Sequence, residues 1–196
     1  MDTVKITSGE YKGRKIATPG GGTHPMGKRE RLALFNMIAN RVPGAKVLDA
    51  YSGSGALGIE ALSRGADEVV FVDESHVAMR TANQNCYELR IPEEKVAFYR
   101  GSISAFYTKF VQGQGISIDP VMAMMLATFP KKVDIILADP PYDDFKPKEV
   151  SRLANGYLKD DGVLVLSHPG EPPELPGLEL QKTHKYAAAH LSVYVK

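Results

Sequence analysis

The sequence predicts an α/β domain, a parallel sheet with helices on both faces, preceded by a short β-hairpin. Three observations carry this. From Lys46 onward a short apolar strand, a turn and a helix of about a dozen residues alternate repeatedly. The first of these turns holds Gly53-Ser54-Gly55-Ala56-Leu57-Gly58, a G-x-G-x-x-G pattern directly after a strand and at the opening of a helix. A later apolar strand, Val133–Ala138, ends abruptly in Asp139-Pro140-Pro141-Tyr142. Ligands of such sheets bind beyond the carboxyl ends of the strands, so the residues that follow each strand are where chemistry is expected.

Taken in order, Val4-Lys5-Ile6-Thr7, the turn-like Ser8-Gly9-Glu10 and Gly13-Arg14-Lys15-Ile16-Ala17 predict a basic hairpin. After Gly20-Gly21-Gly22, the residues Leu32, Leu34, Phe35, Ile38 and Ala39 recur at helical spacing and stop before Pro43-Gly44. They predict an amphipathic helix over 28–41 with Lys28, Arg29 and Arg31 on its leading turn. Strands follow at Val47–Ala50, Val69–Val72, Val96–Tyr99, Val133–Ala138 and Val163–Leu166, with helices at Ala56–Arg64, His76–Leu89 and Lys148–Leu158. Ser117–Pro130, bearing Met122, Met124 and Met125, reads as a further helix whose methionines fill core. Pro169–Gly177 is a proline-rich loop, and Leu178–Thr183 and Leu191–Val195 are closing strands. Two units result: residues 1–44, a basic extension, and residues 45–196, the sheet domain.

Composition narrows the class. The chain has 196 residues, 43% of them apolar, with one cysteine and no tryptophan. Cys86 alone makes no internal disulfide, and the absence of any CxxC removes a cysteine-ligated zinc module; a reducing, cytoplasmic setting is expected. The histidines lack metal-ligand spacing, so no metal site is expected. No apolar run approaches the ~20 residues that cross a bilayer, and no membrane partner is expected. The net charge of +1 hides an asymmetry: residues 1–41 carry eight basic side chains against three acidic ones, a net of +5, leaving −4 for the remainder. An N-terminal arm that touches phosphates would show this pattern, and so would a solvated basic face.

At the glycine loop, backbone can approach a ligand closely, and Asp73 ends the next strand near the ~20-residue offset at which a carboxylate meets a ribose diol. Asp49 stands just inside the preceding strand end. A carboxylate there would repel the pyrophosphate of a dinucleotide, whereas it favours the ammonium and sulfonium of S-adenosylmethionine. At the second motif, two prolines stiffen the rim, Asp139 supplies an acceptor, and Tyr142 supplies a ring on which a base can stack. These are the parts needed to hold an exocyclic amine. Acceptors on its N–H bonds localise the nitrogen lone pair and stabilise the positive charge that develops as it is methylated.

With these two motifs in place, the sequence resembles class I S-adenosylmethionine-dependent methyltransferases that act on amino nitrogens, and more narrowly the RsmD-type family of 16S ribosomal RNA guanine-N2 methyltransferases. The likeness runs over nearly the whole chain, through Gly13-Arg14-Lys15, Leu34-Phe35-Asn36, DAYSGSGALGIEAL from Asp49 to Leu62, Phe71-Val72-Asp73, Asp139–Tyr142 and Tyr186…Leu191-Ser192-Val193-Tyr194. It implies a Rossmann-like, seven-stranded, mostly parallel sheet whose last strand is antiparallel. It also implies an N-terminal hairpin and helix that grip ribosomal RNA through Arg14, Lys15, Arg29 and Arg31. By position it places Asp49, Tyr51, Gly53, Gly55, Asp73 and Ser102 at the cofactor and Asp139, Pro140, Pro141 and Tyr142 at the target guanine. The implied partner is 16S ribosomal RNA in a small subunit or an assembly intermediate, met by a monomer. Five positions depart from the family pattern: His24-Pro25-Met26 for Arg-Pro-Thr, Arg31-Leu32 for Arg-Glu before the helix core, Ser102 where an acidic residue holds the adenine amine, Ser167 where a glutamate is common, and Ala187 for the glycine after the late tyrosine. The same fold and tetrapeptide also serve adenine N6 in DNA or RNA, and a ribosome assembly factor without catalysis would keep the same frame.

Overall fold

The computed structural model describes residues 2–20, 26–113, 129–186 and 189–196. His24, Pro25 and nearly all of the methionine-bearing stretch expected as a helix lie outside them. The hairpin is present as β1 (Thr3–Lys5) and β2 (Lys15–Ala17), antiparallel with Val4 opposite Ile16. Two three-residue strands do not persist alone in water. Ile6 and Ile16, each 1% exposed, anchor them by entering the same apolar cluster as Val47 and Val69 of the main sheet, at about 1.5–3 kcal/mol per side chain.

α1 (Lys28–Met37) ends earlier than the spacing predicts. Ile38 leaves α geometry and a 3-10 turn, Ala39–Arg41, completes the segment. Ile38 and Asn40 are weak helix formers, and Pro43 bars continuation. Leu34 and Phe35 still face the core, which is why the periodicity was readable.

The main sheet contains β3 (Lys46–Ala50), β4 (Glu68–Asp73), β5 (Val96–Arg100), β6 (Val133–Ala138), β7 (Leu158–His168), β8 (Glu179–Lys185) and β9 (His190–Val195), in the spatial order β5-β4-β3-β6-β7-β9-β8. The first five are mutually parallel, and β9 runs antiparallel to both of its neighbours. The expected seven-stranded, mostly parallel sheet is therefore found. The chain steps outward from β3 to β5 and then returns to β6 on the other side of β3, so the crevice between β3 and β6 is the topological switch point.

Alternate residues of each strand feed two cores. On one face Val69, Phe71, Ile135 and Val165 pack under the hairpin, α1, α2 (Ala56–Ser63) and α3 (His76–Glu88). On the other, Leu48, Val70, Ile136 and Leu164 meet Phe106 of α4 (Ile103–Phe106) and Val150, Leu153 and Tyr157 of α5 (Pro147–Tyr157). The strand expected at Val163–Leu166 is longer because Leu158 also pairs, with Val133, and Lys159-Asp160-Asp161-Gly162, turn-like in composition, bulge out between that pair and Ile135–Val163, with Asp161 in the left-handed region (φ 74°) and Lys159 on Asp134 at 2.6 Å.

Candidate active site

Asp49 is 1% exposed at the end of β3. Its Oδ2 accepts the Gly58 N–H of α2 at 2.8 Å, while Oδ1 is buried without a hydrogen-bond partner. Burial, reinforced by the charges of Asp139 and Asp73 and only partly offset by the Gly58 N–H, pushes its pKa up to about 7. Beyond it the chain turns sharply: Tyr51 takes φ 76°, and the N–H groups of Tyr51 and Ser52 both donate to Val72 O. Gly53 (φ 52°) donates to Asp73 Oδ2 at 2.9 Å, and Ser75 N–H donates to Oδ1 at 2.8 Å, so Asp73 ties the loop to the start of α3.

The glycines divide by function. At Gly53 an added Cβ would meet nothing within 4 Å, so its face is open to a ligand. At Gly58 a Cβ would lie 2.4 Å from the Phe71 ring, so that glycine lets α2 settle onto β4. Gly55 (φ 80°) combines a turn that disfavours side chains with contact to Ala82 and Phe71. Asn85 of α3 steadies the loop from below, donating to Ser54 O at 2.9 Å and bonding both the N–H and the O of Ala17 in β2.

The second motif adjoins the first. β6 pairs with β3 so that Ala138 stands opposite Ala50, and Asp139 follows on the next strand over, ~4.8 Å away in the hydrogen-bonding direction. Asp139 keeps some accessible surface but is enclosed on most sides, and burial raises its carboxyl above the usual range while Ser167 pulls it back. Pro140 is buried and Pro141 exposed, and Tyr142 opens a 3-10 turn with its ring half-buried. Its hydroxyl lies 2.8 Å from Ser167 Oγ at the end of β7.

One expected site residue is placed elsewhere. Arg31 is 2% exposed, and its guanidinium donates to Met26 O and Lys5 O, which corrects the expectation that it faces phosphate: it binds the hairpin to α1. Ser102 caps α4, accepting Ala105 N–H at 3.0 Å, which leaves its own proton for another acceptor. Arg14, Lys15 and Arg29 are exposed, and Arg14 reaches Glu88 O at 3.4 Å. Sequence reasoning noted Ser167 only as a departure and missed Glu60. A lone glutamate in the apolar helix ALGIEALS was the available signal for the latter: it is fully buried and accepts from Thr7 N–H, Thr7 Oγ1, Ser8 N–H and Arg64 Nε.

An orphaned carboxylate oxygen for a cation, an open glycine face for a nucleoside and a rim carboxylate for hydroxyls together fit S-adenosylmethionine. A doubly wound sheet in this strand order, with that loop at its switch point and an acceptor-bearing rim beside it, defines a class I methyltransferase using S-adenosylmethionine. The chain belongs to the family described as Conserved hypothetical protein 95, which matches residues 4–195. It is 29% identical to the Bacillus subtilis protein YlbH over 98% of this chain and 99% of that one. It is 28% identical to Ribosomal RNA small subunit methyltransferase D of Escherichia coli K12 over 83% of this chain and 73% of that one. The Escherichia coli yhhF structure shares the fold, with a TM-score of 0.81 at 24% identity over 100% and 98% of the two chains.

Proposed function

We propose that this enzyme methylates the exocyclic N2 amine of a guanine in 16S ribosomal RNA, acting as a monomer in the cytoplasm on a small subunit or its assembly intermediate. The observation that carries this reading is the pairing of β3 with β6, which sets Asp49 and Asp139 at one crevice. When bound, S-adenosylmethionine supplies an electrophilic methyl group on a sulfonium and leaves as a thioether. Asp49 holds its cationic end through the unpartnered Oδ1, Gly53 and Gly55 let backbone approach, Tyr51 walls the loop, Asp73 takes the ribose hydroxyls, and Ser102 donates to the adenine.

On the other wall, Tyr142 stacks on the guanine and Asp139 accepts an N–H of its amine, which localises the lone pair and balances the charge gained on nitrogen until the methylated amine sheds one N–H proton to solvent. Pro140 and Pro141 keep this rim from relaxing away from the base. Orientation of this kind supplies roughly 7–11 kcal/mol of a barrier. A guanine amine inside a duplex lies in the minor groove, so an unstacked base in a loop or partly assembled particle is the accessible form. Residues 1–44 form the RNA-contacting extension of the 45–196 catalytic domain, with Arg14, Lys15 and Arg29 on backbone phosphates.

The test incubates the purified protein and labelled S-adenosylmethionine with small subunits from a strain lacking the gene, with Asp139→Ala in parallel, and maps the label by mass spectrometry. N2-methylguanine in 16S ribosomal RNA with the parent protein, and loss of at least about a hundredfold in rate with the variant, is the expected result. Label on adenine N6, or a fully active Asp139→Ala, overturns the reading.

A further inference from the structure

The reaction's groups leave one side chain unexplained. Ser167 is 1% exposed at the carboxyl end of β7, two strands from the glycine loop, and Leu166 beside it pairs with Ala138 directly before Asp139. A buried hydroxyl needs partners, and the polar side chain bonded to it is Tyr142, at 2.8 Å. We infer that Ser167 is a positioning residue for methyl transfer: its hydroxyl accepts from the Tyr142 phenol and donates toward the Asp139 carboxylate, joining the two base-holding side chains in one chain of protons. The inference rests on the reading of residues 139–142 as the amine-holding rim.

The chemistry behind it is a matter of which state Asp139 occupies. An ionised carboxylate accepts strongly on both oxygens, from an amine and from a hydroxyl at once; once protonated, one oxygen becomes a donor and only weaker acceptor capacity remains for the two partners. Asp139 is enclosed, and burial favours its protonated form, which the Ser167 hydroxyl opposes. A serine has one proton to give. Directed at Asp139, that proton stabilises the ionised state, and the oxygen's lone pairs are then free for the phenol of Tyr142, whose other charged neighbour is Glu30 of α1. The ring of Tyr142 is thereby held at its far end while its face stays available for stacking. Ser167 itself neither gains nor loses a proton; its hydroxyl fixes geometry and ionisation together.

The experiment has a readout in the unliganded protein. Aspartate carboxyl carbons are labelled with ¹³C, Asp139 is assigned through Asp139→Asn, and its titration is compared in the parent, Ser167→Ala and Ser167→Thr. With Ser167→Ala the Asp139 midpoint moves to higher pH, and Ser167→Thr, which keeps the hydroxyl, restores it. In steady-state assays Ser167→Ala lowers kcat near pH 7 by about tenfold, moves the acid limb of its pH profile upward, and leaves KM for S-adenosylmethionine within about twofold. Tyr142→Phe and Ser167→Ala combined cost no more than the worse single change, as members of one chain should. An Asp139 titration unmoved by Ser167→Ala, or fully additive losses, overturns the inference whatever base is methylated. If the NMR result is as expected but the rim proves not to hold the substrate, the Asp139→Ala assay reports that failure separately.

Discussion

At the scale of single residues, Asp49 sets a pH dependence whose sign follows from its surroundings. Its folded pKa of about 7 lies above the ordinary carboxylate value, so between those two pH values the folded chain holds a proton that the unfolded chain has lost. The contribution to stability is therefore fully present below the ordinary carboxylate pKa, is lost as pH rises from there toward 7, and is constant beyond. A cationic ligand on Oδ1 requires the ionised form, so affinity for S-adenosylmethionine should fall by about tenfold per pH unit below 7. Calorimetry across pH 5–8 checks this, and Asp49→Asn should flatten both profiles; an affinity independent of pH would contradict it. Asp49, Asp73 and the glycine loop were legible because local spacing alone specifies them. Arg31 was not: helical periodicity marks a charge as solvent-facing, and nothing local reveals that the carbonyl of Lys5, far upstream, comes to meet its guanidinium. Ser167 was obscure for the same reason, since the value of a hydroxyl on β7 depends on what β6 sets beside it.

At the scale of elements, the hairpin is fastened by polar bonds as well as by Ile6 and Ile16. Glu60 of α2 takes two backbone N–H groups and a hydroxyl from Thr7 and Ser8, and its charge is matched by Arg64 at 3.0 Å, with the pair almost wholly out of water. Removing one member of such a network leaves the others buried and unmatched. Glu60→Ala should cost about 3–5 kcal/mol in urea unfolding and expose the Thr7 and Ser8 amides to hydrogen exchange ahead of the rest of the chain. A loss below ~1 kcal/mol would show that apolar contacts alone hold the hairpin. The existence of the strands was readable because apolar runs rich in β-branched residues and bounded by turns mark them. Their ends were not: the pairing of Leu158 with Val133 across the bulge at Lys159–Gly162 is a tertiary outcome that a turn-like composition hides, and α4 is too short to leave a periodic trace.

At the scale of the whole molecule, the charge asymmetry of the sequence becomes spatial. The basic extension, α1 included, packs on the sheet face that carries α2 and α3, so Arg14 and Lys15 stand on the same body as the pocket. Replacing both by glutamate should weaken RNA binding and reduce the slope of log K against log salt by roughly 1.5, while affinity for S-adenosylmethionine is unchanged. Filter binding from 50 to 300 mM salt decides it, and superimposable curves would remove the arm from the RNA path. Strand order also has a bearing on assembly. The pocket's walls, Asp49–Gly55 and Asp139–Tyr142, lie about ninety residues apart in sequence and meet only where β3 joins β6. A partly folded intermediate lacking that central seam has no place for either ligand. Metabolite supply thus acts selectively on the finished architecture, drawing it out of the folding equilibrium and slowing its loss to proteolysis when S-adenosylmethionine is plentiful.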